Sequence, residues 1–276
     1  MTYSTVMTHM DVGSENSGVL RVTTALAKRF GAGVIGIAAC QPIQMVYGDG
    51  YVAGDMIQEN LAEIALEMKE AEARFRSALT GKAAPLQWRS VNASVQLSDF
   101  VVREARAADL IITGPDLGWS AFDASRRVVI SDVVLQAGRP VLIVPPGAED
   151  LRLERVVIAW KDTREARRAI VDALPMLKMA GQVIVLEITV EDDTKDAPGR
   201  LDDITAWLHR HGVASTYDVV ASIGDDAAQL NGLAEAQSAD LMVAGAYGHG
   251  RLREWVLGGV TRNLLSHPSR CTLVSH

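Results

Sequence analysis

Glycines cluster near the C-terminus in the segment GAYGHGRLREWVLGGVT, residues 245–261, between an apolar segment and a helix-like one. Gly245 and Gly248 lack a Cβ, so the chain after them can turn sharply and its backbone N–H groups can approach an anion. Gly258 and Gly259 precede the start of a helix, whose free N–H groups and dipole favour a second contact with negative charge. Two groups of backbone amides are therefore expected to converge on one phosphate.

The spacing G-x2-G-x9-G-G followed by Val-Thr resembles the nucleotide-binding motif of the universal stress protein family, in its ATP-binding branch. The motif follows an apolar strand-like segment, Ala239–Ala244, and precedes another that begins at Cys271. This resemblance implies an adenine nucleotide as ligand, which would be ATP, ADP or AMP. It leaves open whether Mg²⁺ accompanies the nucleotide.

The same resemblance assigns the nucleotide contacts to two strand ends and to the glycine-rich segment. These residues are Ala159, Lys161, Ile188, Gly245, Gly248, Gly258, Gly259, Val260 and Thr261. Lys161 stands where the family has Asp, and Gly259 stands where a small hydroxyl residue is common. Other interpretations stay open, because Ala159 and Ile188 could simply be core residues and Thr261 could simply start a helix.

The chain reads as an internal duplication. Residues 4–12 correspond to residues 154–162 at an offset of 150, and residues 107–114 correspond to residues 238–245 at an offset of 131. The first half therefore carries 150 − 131 = 19 extra residues, which fall near Gln41 to Asn60. We expect two domains, at residues 1–147 and 151–276, joined by a turn-rich Pro-Pro-Gly segment.

Each half alternates strand-like and helix-like segments, which is typical of a parallel sheet covered on both faces. The predicted fold class is α/β, with two tandem doubly wound five-stranded parallel-sheet domains like those of universal stress proteins. Strands are predicted in the second half at Arg155–Trp160, Val183–Thr189, Ala214–Val220, Asp240–Ala244 and Cys271–Val274. A helix capped by Thr163 follows the first of them, and a long amphipathic helix is predicted at Leu61–Thr80 in the first half.

The first half lacks the glycine motif. Aligning Ser131 with Thr261 places Val128 and Val129 where the second half has glycines, and β-branched residues do not readily adopt glycine conformations. The first domain is therefore predicted to be structural or regulatory, without a phosphate loop. Asp11 keeps an acidic residue that the family often has after the first strand, and a turn role is favoured for it here.

Composition restricts the partners. The chain has 276 residues, is 48% hydrophobic and has a formal net charge of −7, which disfavours binding to nucleic acid or to an anionic membrane. The sequence has no apolar segment of membrane-spanning length and no signal-peptide pattern at its start, so a cytoplasmic location is expected. Cys40 and Cys271 lie in apolar segments, which favours buried thiols in a reducing compartment.

The sequence contains no His-x-Glu-x-x-His, Cys-x-x-Cys or Gly-x-Ser-x-Gly pattern, and its glycine loop lacks the Lys-Ser/Thr end that positions a γ-phosphate for transfer. It favours a regulatory binding protein over an enzyme, with slow ATP hydrolysis as the most that is expected. Two hypotheses stay open: a stress protein that senses an adenine nucleotide, and an interaction module that needs no nucleotide and keeps the glycines as a relic.

The last strand of each half would leave an unpaired sheet edge. These strands, Val141–Val144 and Cys271–Val274, are apolar. Single-domain stress proteins commonly dimerise through this strand, so the resemblance implies an internal pseudo-dimer in which the two strands run antiparallel. Further assembly into a homodimer is left open.

Overall fold

The computed structural model describes residues 2–42, 54–93, 95–116, 127–248 and 259–276, with the side chains of residues 54–57 excepted. The strands form one ten-stranded sheet in the order β3-β2-β1-β4-β5-β10-β9-β6-β7-β8. Each half of the chain contributes five neighbouring strands, and the halves meet between β5 and β10.

The first half alternates strands and helices along the chain. Its elements are β1 (Thr5–His9), α1 (Ser17–Phe30), β2 (Gly33–Cys40), α2 (Gly54–Leu79), β3 (Leu86–Asn92), α3 (Leu97–Glu104), β4 (Leu110–Thr113), α4 (Ile130–Gln136) and β5 (Val141–Ile143).

The second half repeats this alternation. Its elements are β6 (Arg155–Trp160), α5 (Arg164–Leu177), β7 (Gln182–Thr189), α6 (Ala197–Arg210), β8 (Ser215–Ala221), α7 (Asp226–Ala236), β9 (Leu241–Gly245), α8 (Gly259–Ser266) and β10 (Cys271–Ser275). All five strands predicted for this half are present, with ends that differ from the prediction by no more than one residue.

Within each half the strands are parallel and follow the same spatial order, β3-β2-β1-β4-β5 and β8-β7-β6-β9-β10. In each half the first three strands follow one another toward one edge of the sheet, and the last two lie on the other side of the first strand. The strand order therefore reverses between β1 and β4, and again between β6 and β9. The predicted fold class, two doubly wound five-stranded α/β units in tandem, is confirmed. In such sheets ligands bind at the carboxyl ends of the strands beside the point of reversal.

Burial explains why these segments form strands and helices. Every residue of β2 is buried, as expected for an inner strand of a sheet covered on both faces. On α5 the apolar residues Ile170 and Ala173 are buried in the core, and the Thr163 hydroxyl accepts a hydrogen bond from the Ala166 N–H at 3.3 Å, which caps the helix as predicted. Cys40 and Cys271 are buried free thiols, as predicted. Among the described residues, no helix has both the length and the apolarity needed to cross a bilayer.

The two halves share a continuous core. β5 and β10 run antiparallel, with Leu142 opposite Leu273, and both side chains are fully buried. On one face of the sheet a single apolar cluster extends from Val22 on α1 to Ile170 on α5. The Tyr3 hydroxyl adds a polar link between the halves, since it donates to the Asp172 carbonyl at 2.6 Å.

The extra length of the first half lies partly in a helix. α2 contains 26 residues and begins at Gly54, earlier than the Leu61 predicted, whereas α6 contains 14 residues. The buried face of α2 carries Ile64, Met68 and Phe75, in agreement with the predicted amphipathic pattern. Residues 43–53 of the predicted extra segment lie outside the described residues.

The pairing of β5 with β10 can be tested by amide hydrogen exchange. Because both strands belong to one chain, their amides should exchange equally slowly at about 2 µM and at about 200 µM protein. The amides of β2 serve as the internal reference, since that strand is buried inside the first half. Faster exchange in β5 and β10 on dilution, with β2 unchanged, would show instead that the strands pair between molecules.

Candidate functional site

The carboxyl ends of β6, β7 and β9 lie together because β6 pairs with both of the other strands. The structure therefore brings the predicted contacts to one edge of the sheet, next to the start of α8. The predicted residues within the described part of the chain are Ala159, Lys161, Ile188, Gly245, Gly248, Gly259, Val260 and Thr261. Gly258 was also predicted to bind phosphate, and it lies outside the described residues.

Gly245 is required by packing inside the protein. A Cβ at this position would lie 2.5 Å from the Ala166 nitrogen and 2.6 Å from the Glu165 carbonyl carbon. Both atoms belong to the backbone of the first turn of α5, so neither can rotate away. The absence of a side chain at Gly245 thus lets the end of β9 contact α5 directly. The sequence pattern alone does not distinguish this packing role from a role in anion binding.

The turn after β9 takes its unusual backbone conformation at Tyr247, not at a glycine. Tyr247 has φ 63°, in the left-handed region where glycine is usual. Its N–H points toward the Thr261 hydroxyl at 3.5 Å, and its ring lies edge-on to His276 with 6.2 Å between centroids. The His276 ring also bonds to the Ala246 carbonyl at 3.1 Å. These contacts hold the turn against the start of α8 and the end of the chain.

Among the described residues, no atom covers the first residue of α8. A Cβ at Gly259, that first residue, would meet none of their atoms within 4 Å. Thr261 is buried beneath it, with 9% of its surface exposed. The first backbone N–H groups of a helix have no partner within it and favour a negative charge. This geometry is compatible with the anion contact that the glycine spacing predicts.

Glu165 is a buried acid that the sequence analysis did not identify. It is the second residue of α5, is 4% exposed and forms an ion pair with Arg164. Burial alone would raise its pKa, but hydrogen bonds from Arg164 and the backbone, with the charge of Arg164 and His276, hold the pKa below its ordinary value. Its Oε2 would lie 3.1 Å from a Cβ at Gly248, so the carboxylate lies directly against the glycine-rich turn. An acid in the first turn of a helix is common, and the sequence offered no further signal.

The strand residues of the predicted site have ordinary structural positions. Ala159 and Ile188 are partly buried and pack on the apolar cluster that covers one face of the sheet. Lys161 is exposed, and its carbonyl accepts the Thr163 N–H at 2.7 Å. The Lys161 side chain is therefore accessible at the edge where the glycines lie.

The corresponding edge of the first half contains a cavity of about 490 Å³. It lies between the ends of β1, β4 and β5 and the starts of α1 and α4. Val128 and Val129, which stand where the second half has glycines, are among the residues that line it. The sequence analysis predicted a structural or regulatory role for this half and did not predict a cavity.

Two local differences between the halves accompany this cavity. Between Met10 and the residue that precedes α1, Asn16, the chain has three more residues than between Trp160 and Thr163, the corresponding pair in the second half. The second residue of the helix is Gly18 in α1 and Glu165 in α5. The first half therefore has a longer loop and no acidic side chain at the helix start.

A polar pair lies beside the cavity. His9 Nδ1 and Thr113 Oγ1 are 3.0 Å apart, and both side chains are buried. Burial lowers the pKa of His9, while the nearby Asp11 carboxylate acts in the opposite direction. The imidazole is therefore neutral at pH 7, and its protonation state is set mainly by desolvation.

The turn after β9 also contacts the first half. Burial, with the carboxylates of Asp116 and Asp132, raises the pKa of Tyr247 to about 12. The Asp116 N–H in turn donates to the Leu265 carbonyl at 2.9 Å. Asp116 follows β4 and Tyr247 follows β9 at corresponding positions of the two halves. Each of these two residues therefore interacts with the opposite half of the chain.

No group of three or more His, Cys, Asp or Glu side chains arranged to hold a metal ion occurs in the part of the chain that the structure describes.

Comparison with known proteins agrees with this architecture. The model of the universal stress protein family matches residues 152–275. A search of curated proteins found no match. A universal stress protein from Archaeoglobus fulgidus DSM 4304 has a similar structure, with a TM-score of 0.75 and 15% identity over 98% of this chain and 95% of its own.

Two further solved structures illustrate the range of similarity. A protein of unknown function from Pseudomonas aeruginosa PAO1 has a TM-score of 0.61 and 12% identity, over 99% of this chain and 92% of its own. The universal stress protein from Archaeoglobus fulgidus solved in complex with dAMP aligns with 52% of this chain and 99% of its own, with 21% identity and a TM-score of 0.36.

The packing role of Gly245 predicts a loss of stability on substitution. In Gly245→Ala the new methyl group would overlap the backbone of α5, and we expect the free energy of unfolding to fall by about 2 kcal/mol. Gly259→Ala is the matched control, since its Cβ would meet no described atom within 4 Å, and it should change that free energy by less than about 0.5 kcal/mol. Urea unfolding of both variants provides the measurement. Equal stability of the two would contradict the packing role.

Proposed function

Because residues 152–275 of this chain belong to the universal stress protein family, we propose that the second half binds an adenine nucleotide. The nucleotide lies at the carboxyl ends of β6, β7 and β9, and the chain acts as a regulatory stress-response protein. The observation that supports this proposal most is the proximity of the turn after β9 to the start of α8, where the Tyr247 N–H lies 3.5 Å from the Thr261 hydroxyl.

Each part of the proposed site has a distinct task. The first N–H groups of α8 bind the phosphates, with Gly259 leaving space for a close approach. Lys161 supplies a positive charge at the rim, which favours a phosphorylated ligand over a nucleoside. Ala159 and Ile188 offer apolar strand ends against which a base can pack.

We propose ATP, ADP or AMP as the ligand, with Mg²⁺ as an optional companion of the phosphates. The loop carries no Lys-Ser/Thr end to position a γ-phosphate for transfer. The proposed role is therefore nucleotide sensing, with hydrolysis slow at most.

A second candidate function is a protein-interaction module that needs no nucleotide. Glu165 favours it, because its buried carboxylate lies against Gly248 and repels a phosphate at the turn. In that case the remaining glycines serve packing alone, as Gly245 already does.

We also propose that the antiparallel pairing of β5 with β10 makes the chain an internal pseudo-dimer in the cytoplasm. The strand pairing occupies the edge through which single domains could otherwise associate. A homodimer of whole chains would then use another surface. The net charge of −7 supports the absence of nucleic-acid and anionic-membrane partners.

Isothermal titration with ATP tests the site. We expect about one nucleotide per chain, because Val128 and Val129 replace the glycines of the first half, and Gly259→Val should weaken binding at least about tenfold by blocking the start of α8. Gly232→Val, on the exposed side of α7, is the control for a glycine-to-valine change elsewhere. A ratio near two, or unchanged affinity in folded Gly259→Val, would refute the assignment.

A substitution at Glu165 should change the affinity for ATP in the opposite direction. Neutralising it in Glu165→Gln should raise the affinity for ATP about fivefold, since a buried negative charge beside the turn is removed. Asp172→Asn removes an acid that pairs with Arg168 farther along the same helix, and it should leave ATP affinity unchanged. If Glu165→Gln binds ATP no better than the unaltered chain does, the phosphates do not lie at the glycine-rich turn.

A further inference from the structure

The cavity in the first half takes no part in the proposed nucleotide site. Its volume of about 490 Å³ falls in the range usual for pockets that bind small organic molecules. Most of its wall is apolar, and the apolar residues that line it include Val19, Val128, Val129, Val144, Pro145 and Pro146. Such walls favour a ligand with a ring or another compact apolar body.

The backbone of this cavity is poorly suited to phosphate. The Val129 N–H, at the position where a phosphate loop would offer a free amide, already donates to the Ser98 hydroxyl at 3.2 Å. The Ser98 hydroxyl also bonds to the Val129 carbonyl at 3.3 Å, which fixes the segment that precedes α4. A phosphate would have to displace these contacts.

The charged residues that line the cavity also disfavour phosphate. The described residues around the cavity include three acids, Asp11, Glu15 and Asp116, and one base, Arg127. Arg127 is paired with Asp11, with 3.3 Å between Nη1 and Oδ2. Among the described lining residues the acids outnumber the bases, which favours a cation over an anion.

The start of α1 differs from the corresponding start of α5. Gly18 lines the cavity, and a Cβ there would lie 3.3 Å from both the nitrogen and the oxygen of Ala148. The corresponding helix position in the second half carries the buried Glu165 side chain. His9 and Thr113, which also line the cavity, place a hydrogen-bonding pair among the apolar residues.

We infer that this cavity binds a small ring-containing molecule that is neutral or positively charged, and that it rejects anionic ligands. The ring packs on the valine and proline walls, and a hydroxyl or ammonium group of the ligand faces Asp11. The first half then binds a ligand of different charge from the phosphorylated one proposed for the second half.

Three indole compounds with different side-chain charges test the charge preference. Tryptamine is cationic, tryptophol is neutral and indole-3-acetate is anionic, while the ring is the same. Saturation-transfer NMR with the full chain should show tryptamine binding most tightly and indole-3-acetate at least about tenfold more weakly. Equal affinity for tryptamine and indole-3-acetate, or no binding of any of the three at about 1 mM, would overturn the inference.

Two variants test the location. A Cβ at Gly114, which lines the cavity, would meet no described atom within 4 Å, so Gly114→Leu adds a bulky side chain at the cavity wall without a clash with the described backbone and should abolish tryptamine binding. Gly232→Leu, on the exposed side of α7, is the matched control and should bind tryptamine normally. Unchanged binding in folded Gly114→Leu would show that the compounds bind elsewhere.

Asp11→Asn separates charge from shape. It should weaken tryptamine about fivefold while tryptophol changes little, because only the ammonium group gains from the carboxylate. An equal loss for both compounds would refute the role of the Asp11 charge. ATP titration of the same Gly114→Leu sample distinguishes this inference from the nucleotide proposal, since that variant leaves the second half unaltered.

Discussion

The pairing of β5 with β10 is the contact on which the rest of the structure depends. A parallel five-stranded sheet leaves its last strand with unpaired backbone groups and a row of apolar side chains. Here each half covers that edge of the other, with Leu142 opposite Leu273 and both fully buried. Because apolar clusters on both faces cross this line, the two halves stabilise one another and act as one folded body.

Duplication of the fold did not preserve two equal sites. The same strand order presents two carboxyl edges, but the residues at the helix starts differ. Glu165 fills the helix start in the second half, while Gly18 and a longer loop leave a cavity in the first. The Ser98 contacts to Val129 show how the segment without glycines is held in place. One scaffold thus supports two chemically distinct environments.

Much of the fold could be predicted from the sequence, because burial imposes short-range patterns. The strand Arg155–Trp160 and the Thr163 cap were predicted as they occur, since an apolar segment followed by a capping hydroxyl is a local signal. The strand pairing between the halves was predicted from two apolar edge strands together with the resemblance to stress proteins that dimerise through this strand. The start of α2 was predicted too late, because no local signal marks its first turns.

The site could be predicted only in part. From the sequence alone, Gly245 is equally compatible with anion binding and with close packing against a helix. The packing role is identified by the structure, where a Cβ at Gly245 would lie 2.5 Å from the Ala166 nitrogen. Among the described residues of the turn, Tyr247 has the left-handed backbone conformation, which a sequence analysis that looks for glycines does not predict. The cavity of the first half depends on loop length, on Gly18 and on the Ser98 contacts together, so no single motif marks it.

The antiparallel contact between β5 and β10 also sets the orientation of the two ends. All strands of one half run opposite to those of the other, so their carboxyl ends open on opposite rims of the slab. Ligands bound at these two sets of strand ends would therefore approach the sheet from opposite directions.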